Sequence, residues 1–179
     1  LEQVGDLWGV DQAWMSLGDY NILAGNIVEA FHAYEVTRTF NEKSGNRAIL
    51  GHDLSWESLA ASRYGSLSDA LALRKRSLQL AIELNNQHEI AWHTWELGEI
   101  YRLKGEIEQA KHYYEEARPQ FENMNDILGM GFYHRGYGDL AMMRKDWDAA
   151  RREFEQALEI QKKEQRHFRV WGLIYYHTR

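Results

Sequence analysis

Apolar and polar residues follow one another along this chain with the periodicity of amphipathic helices, and the pattern recurs at intervals of about forty residues. Between Ile90 and Leu103 the apolar positions fall on one helical face, and the stripe stops just before Gly105. A second stripe follows from Ile107 to Ala117. We therefore expect two helices joined by a tight turn in which Gly105 adopts the left-handed conformation.

Columns of small residues keep the same spacing, which is typical of a repeat architecture. They are Ala30, Ala70, Ala110 and Ala150; Gly18, Ser58, Gly98 and Gly138; Thr37, Ser77, Ala117 and Ala157; and Gly25, Gly65 and Gly105, a column that Lys145 breaks. A small residue lets two helices cross closely, so we expect Gly98 to face Ala110. The spacing predicts four helix-turn-helix modules in one repeat domain over residues 1–179, at about residues 7–44, 45–84, 85–124 and 125–164. Residues 165–179 are interpreted as the start of a fifth module or a capping helix.

Short polar side chains mark the expected starts of three second helices. Asn26, Ser66 and Asp146 each carry an oxygen that can accept from a free backbone N–H, so they are predicted N-caps. Pro119 lies inside the second helix of the third module. Because proline removes a backbone donor and presses on the carbonyl four residues earlier, a kink or helix end is predicted there.

Composition narrows the possible classes of protein. The 179 residues are 44% apolar with one proline, which favours a folded, all-helical chain. A net charge of −6 argues against direct nucleic-acid binding, which needs a basic surface. No apolar run reaches the roughly 20 residues of a membrane span, and the lack of cysteine fits a cytoplasmic protein. The chain starts at Leu1 without a targeting segment and with the repeat already under way, so it is interpreted as a fragment of a longer protein.

Catalytic and metal-binding motifs are weak in this sequence. The string from His88 to His93 is similar to a metalloprotease helix, but its histidines are five apart instead of four, which turns the second roughly 140° away from the first around the helix. Neither a phosphate-binding loop nor a nucleophile elbow is present. We therefore expect binding without catalysis, cofactor or metal.

The residues that carry the repeat resemble those of the tetratricopeptide repeat family. The third module has Trp95-Glu96-Leu97-Gly98-Glu99-Ile100-Tyr101 followed by Gly105, Ala110, Tyr114 and Ala117, and the first and fourth modules repeat much of this order. The second module departs from it with Glu57, Ser58 and Arg74, so its first helix is expected to sit differently. The long modules resemble those of bacterial STAND-type signalling ATPases and transcription regulators. The resemblance implies an all-α fold, a right-handed α-α superhelix of four modules plus a terminal helix.

The resemblance also implies that first helices line a concave groove. Carried over by register, the candidate partner-binding residues are His52, Trp92, Trp95, Glu99, Arg102, Phe132, Arg135, Asp139 and Tyr175. Trp92 and Trp95 share a helical face, and that face is either groove or inter-module core. For Glu99 and Arg102 an ordinary helix-surface ion pair is the favoured interpretation. Trp14, Trp147 and Tyr114 are assigned to the core.

The implied function is recognition of a protein or peptide segment in the groove, regulating an effector domain of the parent protein. The lysine, arginine and asparagine clamp that some family members use for a terminal carboxylate is not evident in these rows. Acidic groove residues favour a partner with apolar anchors and some basic character. Two alternatives stay open: a small-ligand sensor with a pocket among the groove aromatics, and an oligomerisation scaffold that self-associates through its open ends.

Overall fold

The computed structural model describes residues 7–64 and 66–163, which form eight α-helices and no strand. The helices are α1 (Leu7–Ala24), α2 (Ile27–Ser44), α3 (Arg47–Arg63), α4 (Leu67–Glu83), α5 (Gln87–Leu103), α6 (Ile107–Met124), α7 (Ile127–Met143) and α8 (Trp147–Lys163). The all-α expectation is therefore confirmed for these residues. The predicted terminal segment 165–179, including Tyr175, lies outside them. None of the helices in the two described ranges is long and apolar enough to cross a membrane.

Successive helices pair within each of the four predicted module ranges, and a left-handed residue lies in the turn of the first, third and fourth modules. Gly105 has φ +79°, as its position between two stripes predicts, and Gly25 has the same φ. Lys145, which breaks the glycine column, still takes φ +60° at the equivalent turn. The backbone geometry of the turn therefore persists where glycine does not, at the steric cost that a side chain pays in this region.

Only one of the three predicted N-caps makes the expected bond. Asp146 accepts from the Ala149 amide at 3.0 Å. Asn26 and Ser66 precede α2 and α4, but neither caps its helix with its side chain. Asn26 donates instead to the Asn21 side chain at 3.2 Å, and Ser66 donates to Asp69. The prediction was wrong for both, because each side chain is oriented toward a nearby side-chain acceptor instead of the free backbone N–H groups of its helix.

Pro119 does not end its helix. Helix α6 continues past it to Met124, so the predicted end was wrong. Proline removes one backbone hydrogen bond, whereas the turn that follows it is held by Phe121, which is completely buried. Tertiary packing therefore keeps the segment helical.

The described helices belong to two compact units, Leu1–His93 (unit 1) and Thr94–Arg179 (unit 2). In unit 1, Met15, Ala30, Tyr34 and Ala60 form a buried cluster between helices. In unit 2, the largest buried side chains are Trp95, Tyr114 and Phe121. Helices pack against their neighbours along the chain within each unit, as expected of stacked hairpins.

The small residues do let helices approach closely. A Cβ added at Gly98 would lie 3.1 Å from the Ala110 carbonyl and 2.5 Å from the Tyr114 ring, which confirms that Gly98 faces Ala110. At Gly18, a Cβ would lie 2.6 Å from the Tyr34 ring. In both modules, an aromatic ring from the second helix occupies the space that a side chain on the first helix would need.

Candidate binding face on α5 and α7

Six of the predicted groove residues meet in unit 2. Trp95, Glu99 and Arg102 come from one face of α5, and Phe132, Arg135 and Asp139 from one face of α7. We call this set the α5/α7 face. Its members are spaced three or four residues apart along each helix, so they share a side of it. The register that the repeat implied thus brings together residues distant in sequence.

Glu99 is the centre of the polar contacts on this face. Its carboxylate accepts from Arg102 Nε at 3.2 Å and Arg102 Nη2 at 2.9 Å, and also from the Tyr114 hydroxyl. Arg135 Nη2 lies 3.5 Å from the same carboxylate. Burial alone would raise the pKa of Glu99, but the two guanidinium groups and the tyrosine together lower it. Glu99 is therefore held as an anion inside a positively charged frame.

Arg135 is fixed by aromatic rings as well as by charge. Its guanidinium lies 4.9 Å from the Phe132 ring centre and 5.5 Å from that of Trp95. The two rings meet edge to face, with centres 5.1 Å apart. An arginine stacked on aromatic faces and facing a carboxylate loses little further freedom when a partner binds. The protein itself therefore holds the Arg135 side chain in one orientation.

This arrangement suits binding better than bond-making. Arg102 also lies 3.8 Å from Asp139, so two cations and two carboxylates balance each other. Of these four side chains, Asp139 is the most accessible, at 28% exposed. Such a face offers an aromatic edge and oriented polar groups, and it lacks the base beside a nucleophile that covalent catalysis requires.

Two predictions about this face need correction. Trp95 is 1% exposed and stacks on Tyr114 with ring centres 6.2 Å apart, so it belongs to the core and supports the face from below. Glu99 and Arg102 do form an ion pair, but the pair is half-buried and shared with Arg135, so the interpretation as an ordinary helix-surface pair was wrong.

The core assignments of the other large aromatic residues had mixed outcomes. Tyr114 is completely buried, as predicted. Trp147 is 59% exposed, so its assignment to the core was wrong. Trp147 is the first residue of α8, so it lies at an end of the helix pair. Trp14 is half-buried, with its ring 6.1 Å from that of His32.

The remaining predicted groove residues of the described chain, His52 and Trp92, lie in unit 1. Each belongs to a histidine and tryptophan pair four residues apart on a helix. Trp56 Nε1 donates to His52 Nε2 at 3.0 Å, and Trp92 Nε1 donates to His88 Nε2 at 3.1 Å. The two histidines of the metalloprotease-like string therefore have different surroundings, because His88 pairs with Trp92 whereas His93 is buried. Within the described residues, no group of three or more acidic, histidine or cysteine side chains is placed to hold a metal ion.

A buried polar chain in unit 1 was not predicted. Arg74 Nη1 contacts His93 Nδ1 at 3.1 Å, and His93 Nε2 contacts Ser77 Oγ at 2.9 Å. Ser77 donates onward to the Gly51 carbonyl at 2.6 Å. Arginine can only donate, so Nδ1 of His93 accepts and the proton resides on Nε2. Glu89 Oε2 also lies 3.2 Å from that nitrogen.

This chain is not a serine nucleophile with its base. A catalytic histidine needs an acceptor on Nδ1 to stabilise its charged form, whereas His93 has a guanidinium there. The sequence did contain a signal for this buried polar chain, namely the departure of the second module from the repeat. Arg74 stands where the other modules have Tyr34, Tyr114 and Phe154, and burying it requires polar partners.

The other departures of the second module also make buried polar contacts. Ser58 donates to the Ala70 carbonyl at 2.7 Å. The glycine that the other modules have at this position could not form that bond. Glu57 accepts from Arg38 at 2.9 Å. Burial raises the pKa of Glu57, and the contact with Arg38 partly offsets that effect.

A second buried polar cluster in unit 1 joins two aspartates. The Asn41 side-chain amide donates to Asp11 at 2.7 Å and to Asp53 at 2.8 Å, and all three side chains are at most 3% exposed. Burial raises the pKa of Asp53 to about 7, and the neighbouring Asp11 adds to that rise. Asp53 therefore holds its proton to a higher pH than an exposed aspartate does.

Comparisons with known proteins place the fold but not the activity. No protein-family model matches the chain, and no curated protein matches it. Among solved structures, it is similar to BtubC (BKLC) from P. vanneervenii, with a TM-score of 0.74 and 20% identity over 88% of this chain and 66% of that one. The apo form of RapI matches with a TM-score of 0.70 and 14% identity, over 89% and 45%. Nearly identical TPR-like repeats of a candidate kinesin light chain from Podosopora anserina match with a TM-score of 0.63 and 16% identity, over 87% and 77%.

This chain has a TPR-like fold. Its helical pairs, its small-residue columns and these neighbours agree on an α-α solenoid type of architecture. The chain spans about two thirds of the length of BtubC and under half of the length of RapI. Identities of 20% and below establish the fold alone, so the function has to be argued from the residues.

Proposed function

We propose that this chain is a protein-interaction module and that its α5/α7 face binds a protein segment. The observation that carries the proposal is the ordered cluster around Arg135, which stacks on Phe132 and Trp95 and faces Glu99. Aromatic and arginine side chains are the types most enriched at binding hot spots, and fixed rotamers reduce the entropy lost on association.

The structure modifies the kind of partner that the sequence suggested. Glu99 already contacts two arginines and a tyrosine, so it is poorly suited to attract a basic segment. Phe132, at the edge of the cluster and half-buried, offers apolar contact area instead. The segment we propose places an aromatic or aliphatic side chain against Phe132, with its polar backbone close to Arg102 and Asp139.

As the resemblance implies, binding here would regulate an effector domain where one is attached to the module. A cytoplasmic, bacterial signalling context belongs to the same proposal. Catalysis is not part of it, since neither the α5/α7 face nor the chain of Arg74, His93 and Ser77 combines a nucleophile with a suitably oriented base.

Selection from a displayed library of random peptides tests this proposal directly. Selected peptides are measured against the wild-type protein and against Phe132→Ala, which removes the aromatic edge without adding a charge. We expect the variant to lose about tenfold or more in affinity, the value of a hot-spot residue. Arg151→Gln is the matched control, because that residue is 79% exposed on α8, away from the face.

The outcomes separate a local effect from general unfolding. Circular dichroism and thermal melts first establish that both variants keep the wild-type helicity. Peptides that lose affinity only for Phe132→Ala support the proposal. It fails if no peptide is enriched, or if the peptides bind Phe132→Ala as tightly as the wild type. Sedimentation of the protein without peptide shows whether self-association competes for the same face.

A further inference from the structure

Unit 1 contains a pocket in which His52 is joined by residues that were not predicted as groove residues. Its volume is about 290 Å³, and it lies between α1, α3, α4 and α5. The apolar part of its wall includes Ile49, Leu80 and Leu84, and the polar part includes His52 and Glu89. The volume is at the lower end of the roughly 300–1,000 Å³ of small-molecule sites, so the pocket suits a small group.

Glu89 gives this pocket its charge. Among the described residues that line it, Glu89 has the only carboxyl group, and none is a lysine or an arginine. Its carboxylate is 38% exposed, so a ligand can reach it. Oε2 lies 3.2 Å from His93 Nε2, and Oε1 lies 3.9 Å from His88 Nδ1. One carboxylate oxygen is therefore positioned by a close donor, and the other has only a distant neighbour.

The position of Glu89 is built from the interior of unit 1. His93 is 3% exposed and receives a hydrogen bond on Nδ1 from Arg74, which is itself buried. That bond leaves the proton on Nε2, where it points toward both Ser77 and Glu89. A buried guanidinium thus orients a buried imidazole, and the imidazole holds the carboxylate at the pocket wall.

His52 adds a neutral donor to the same pocket. Its Nε2 accepts from Trp56, so in the neutral ring the proton resides on Nδ1. Loss of hydration lowers the pKa of His52, although Glu89, Asp11 and Asp19 act in the opposite direction. The histidine therefore adds no positive charge that would neutralise Glu89 at pH 7.

The geometry points to a ligand of one chemical class. We infer that this pocket binds an organic monocation, an ammonium or guanidinium group on a short aliphatic body, with Glu89 as its counter-charge and Ile49, Leu80 and Leu84 against the body. An anion of the same size would meet the carboxylate with no cation on the pocket wall to offset it. The cation comes either from a free amine or from a lysine or arginine side chain of a peptide. The site lies in unit 1 and does not rest on the function proposed for the α5/α7 face.

Nuclear magnetic resonance titration tests the inference on the whole chain. The probes are n-butylamine, butylguanidine and a blocked Gly-Arg-Gly peptide, with butyrate as the anionic comparison. For cations of this size we expect saturable shifts of the pocket resonances with a Kd in the millimolar range, since a ligand with so few non-hydrogen atoms gains limited binding free energy. Butyrate should produce no saturable shift.

Three variants make the test specific. Glu89→Gln should weaken cation binding by about tenfold or more, as loss of the only counter-charge predicts. Ala48→Trp places a ring at the exposed edge of the pocket wall and should block binding without removing any polar contact. Glu29→Gln removes one exposed carboxylate elsewhere in unit 1, so it should bind like the wild type.

Each outcome decides the inference. Tighter binding of the peptide than of the free amine identifies a protein side chain as the source, and the reverse order identifies a small amine. The inference is overturned if no cation gives saturable shifts at about 50 mM, well above the expected range. Equal binding by the wild type, Glu89→Gln and Ala48→Trp would also overturn it, because the cation would then occupy another site.

Discussion

Substituting Gly98 by alanine tests the close helix crossing on which the repeat depends. The new Cβ would lie 2.5 Å from the Tyr114 ring and 3.1 Å from the Ala110 carbonyl. The ring has little room to withdraw, because Tyr114 is completely buried, stacks on Trp95 and donates to Glu99. Overpacking of this kind costs about 1–3 kcal/mol, whereas the better helix propensity of alanine returns about 1 kcal/mol.

Gly51 provides the matched control for that substitution. It also lies inside a first helix, but a Cβ there would be 3.7 Å from its nearest neighbour, Leu80, which is an ordinary contact. Gly51→Ala should therefore raise the free energy of unfolding by about 0.5–1 kcal/mol. Gly98→Ala should lower it by up to about 2 kcal/mol, the overpacking cost less the gain in helix propensity. Both variants gain the same helix propensity, so the difference between them measures the steric cost at Gly98.

Urea unfolding followed by circular dichroism at 222 nm measures both changes. A double-mutant cycle adds a second check, since Gly98→Ala should cost little when Tyr114 is already leucine. If Gly98→Ala proves as stable as Gly51→Ala, the Tyr114 ring can move at little cost. The argument that small residues set the helix spacing would then be wrong.

Three further predictions concern single residues. Asp53 has a folded pKa near 7, so the unfolded chain releases its proton first and stability falls as pH rises from about 4 to 7. Urea unfolding at several pH values should show a smaller fall for Asp53→Asn, whereas an unchanged pH profile would refute the assignment. Lys145→Gly should raise the free energy of unfolding by about 0.5–1 kcal/mol, because it removes a side chain at φ +60°. Gly105→Ala should lower that free energy by a similar amount, because it adds a side chain at φ +79°. Thermal melts in which the two variants do not shift in opposite directions would contradict this. Tyr114→Phe should cost about 1.5–3 kcal/mol, since a buried hydroxyl bond to a charged carboxylate is lost, and chemical denaturation that detects no loss would show that the bond contributes nothing.

Much of the α5/α7 face could be predicted from the family resemblance together with the repeat register. Glu99, Arg102, Phe132, Arg135 and Asp139 were singled out by carrying the groove positions implied by the resemblance over to this chain, and the structure brings them together. A repeat makes such an inference possible because each module places equivalent positions on equivalent faces. Which of these residues are accessible could not be read from spacing.

The buried polar groups of unit 1 were the largest omission. In the sequence, Arg74 was noted only because it departs from the repeat. His93 was noted only because it belongs to a string that fails as a metal-binding motif. Their pairing depends on Arg74 reaching His93 on the next module's first helix, 19 residues away in sequence. No local pattern encodes a contact of that kind, because the partner is chosen by the way modules stack.

The sequence by itself determined the helices, the turns between them and the small residues at their crossings. These features follow from local physics: helical periodicity, the left-handed preference of glycine, and the space that a helix crossing allows. The tertiary structure alone decided that Trp95 is buried while Trp147 is exposed, and that Glu89 lines a pocket. Periodicity assigns a residue to a helix face, but only the neighbouring helix determines whether that face is covered, and with what chemistry.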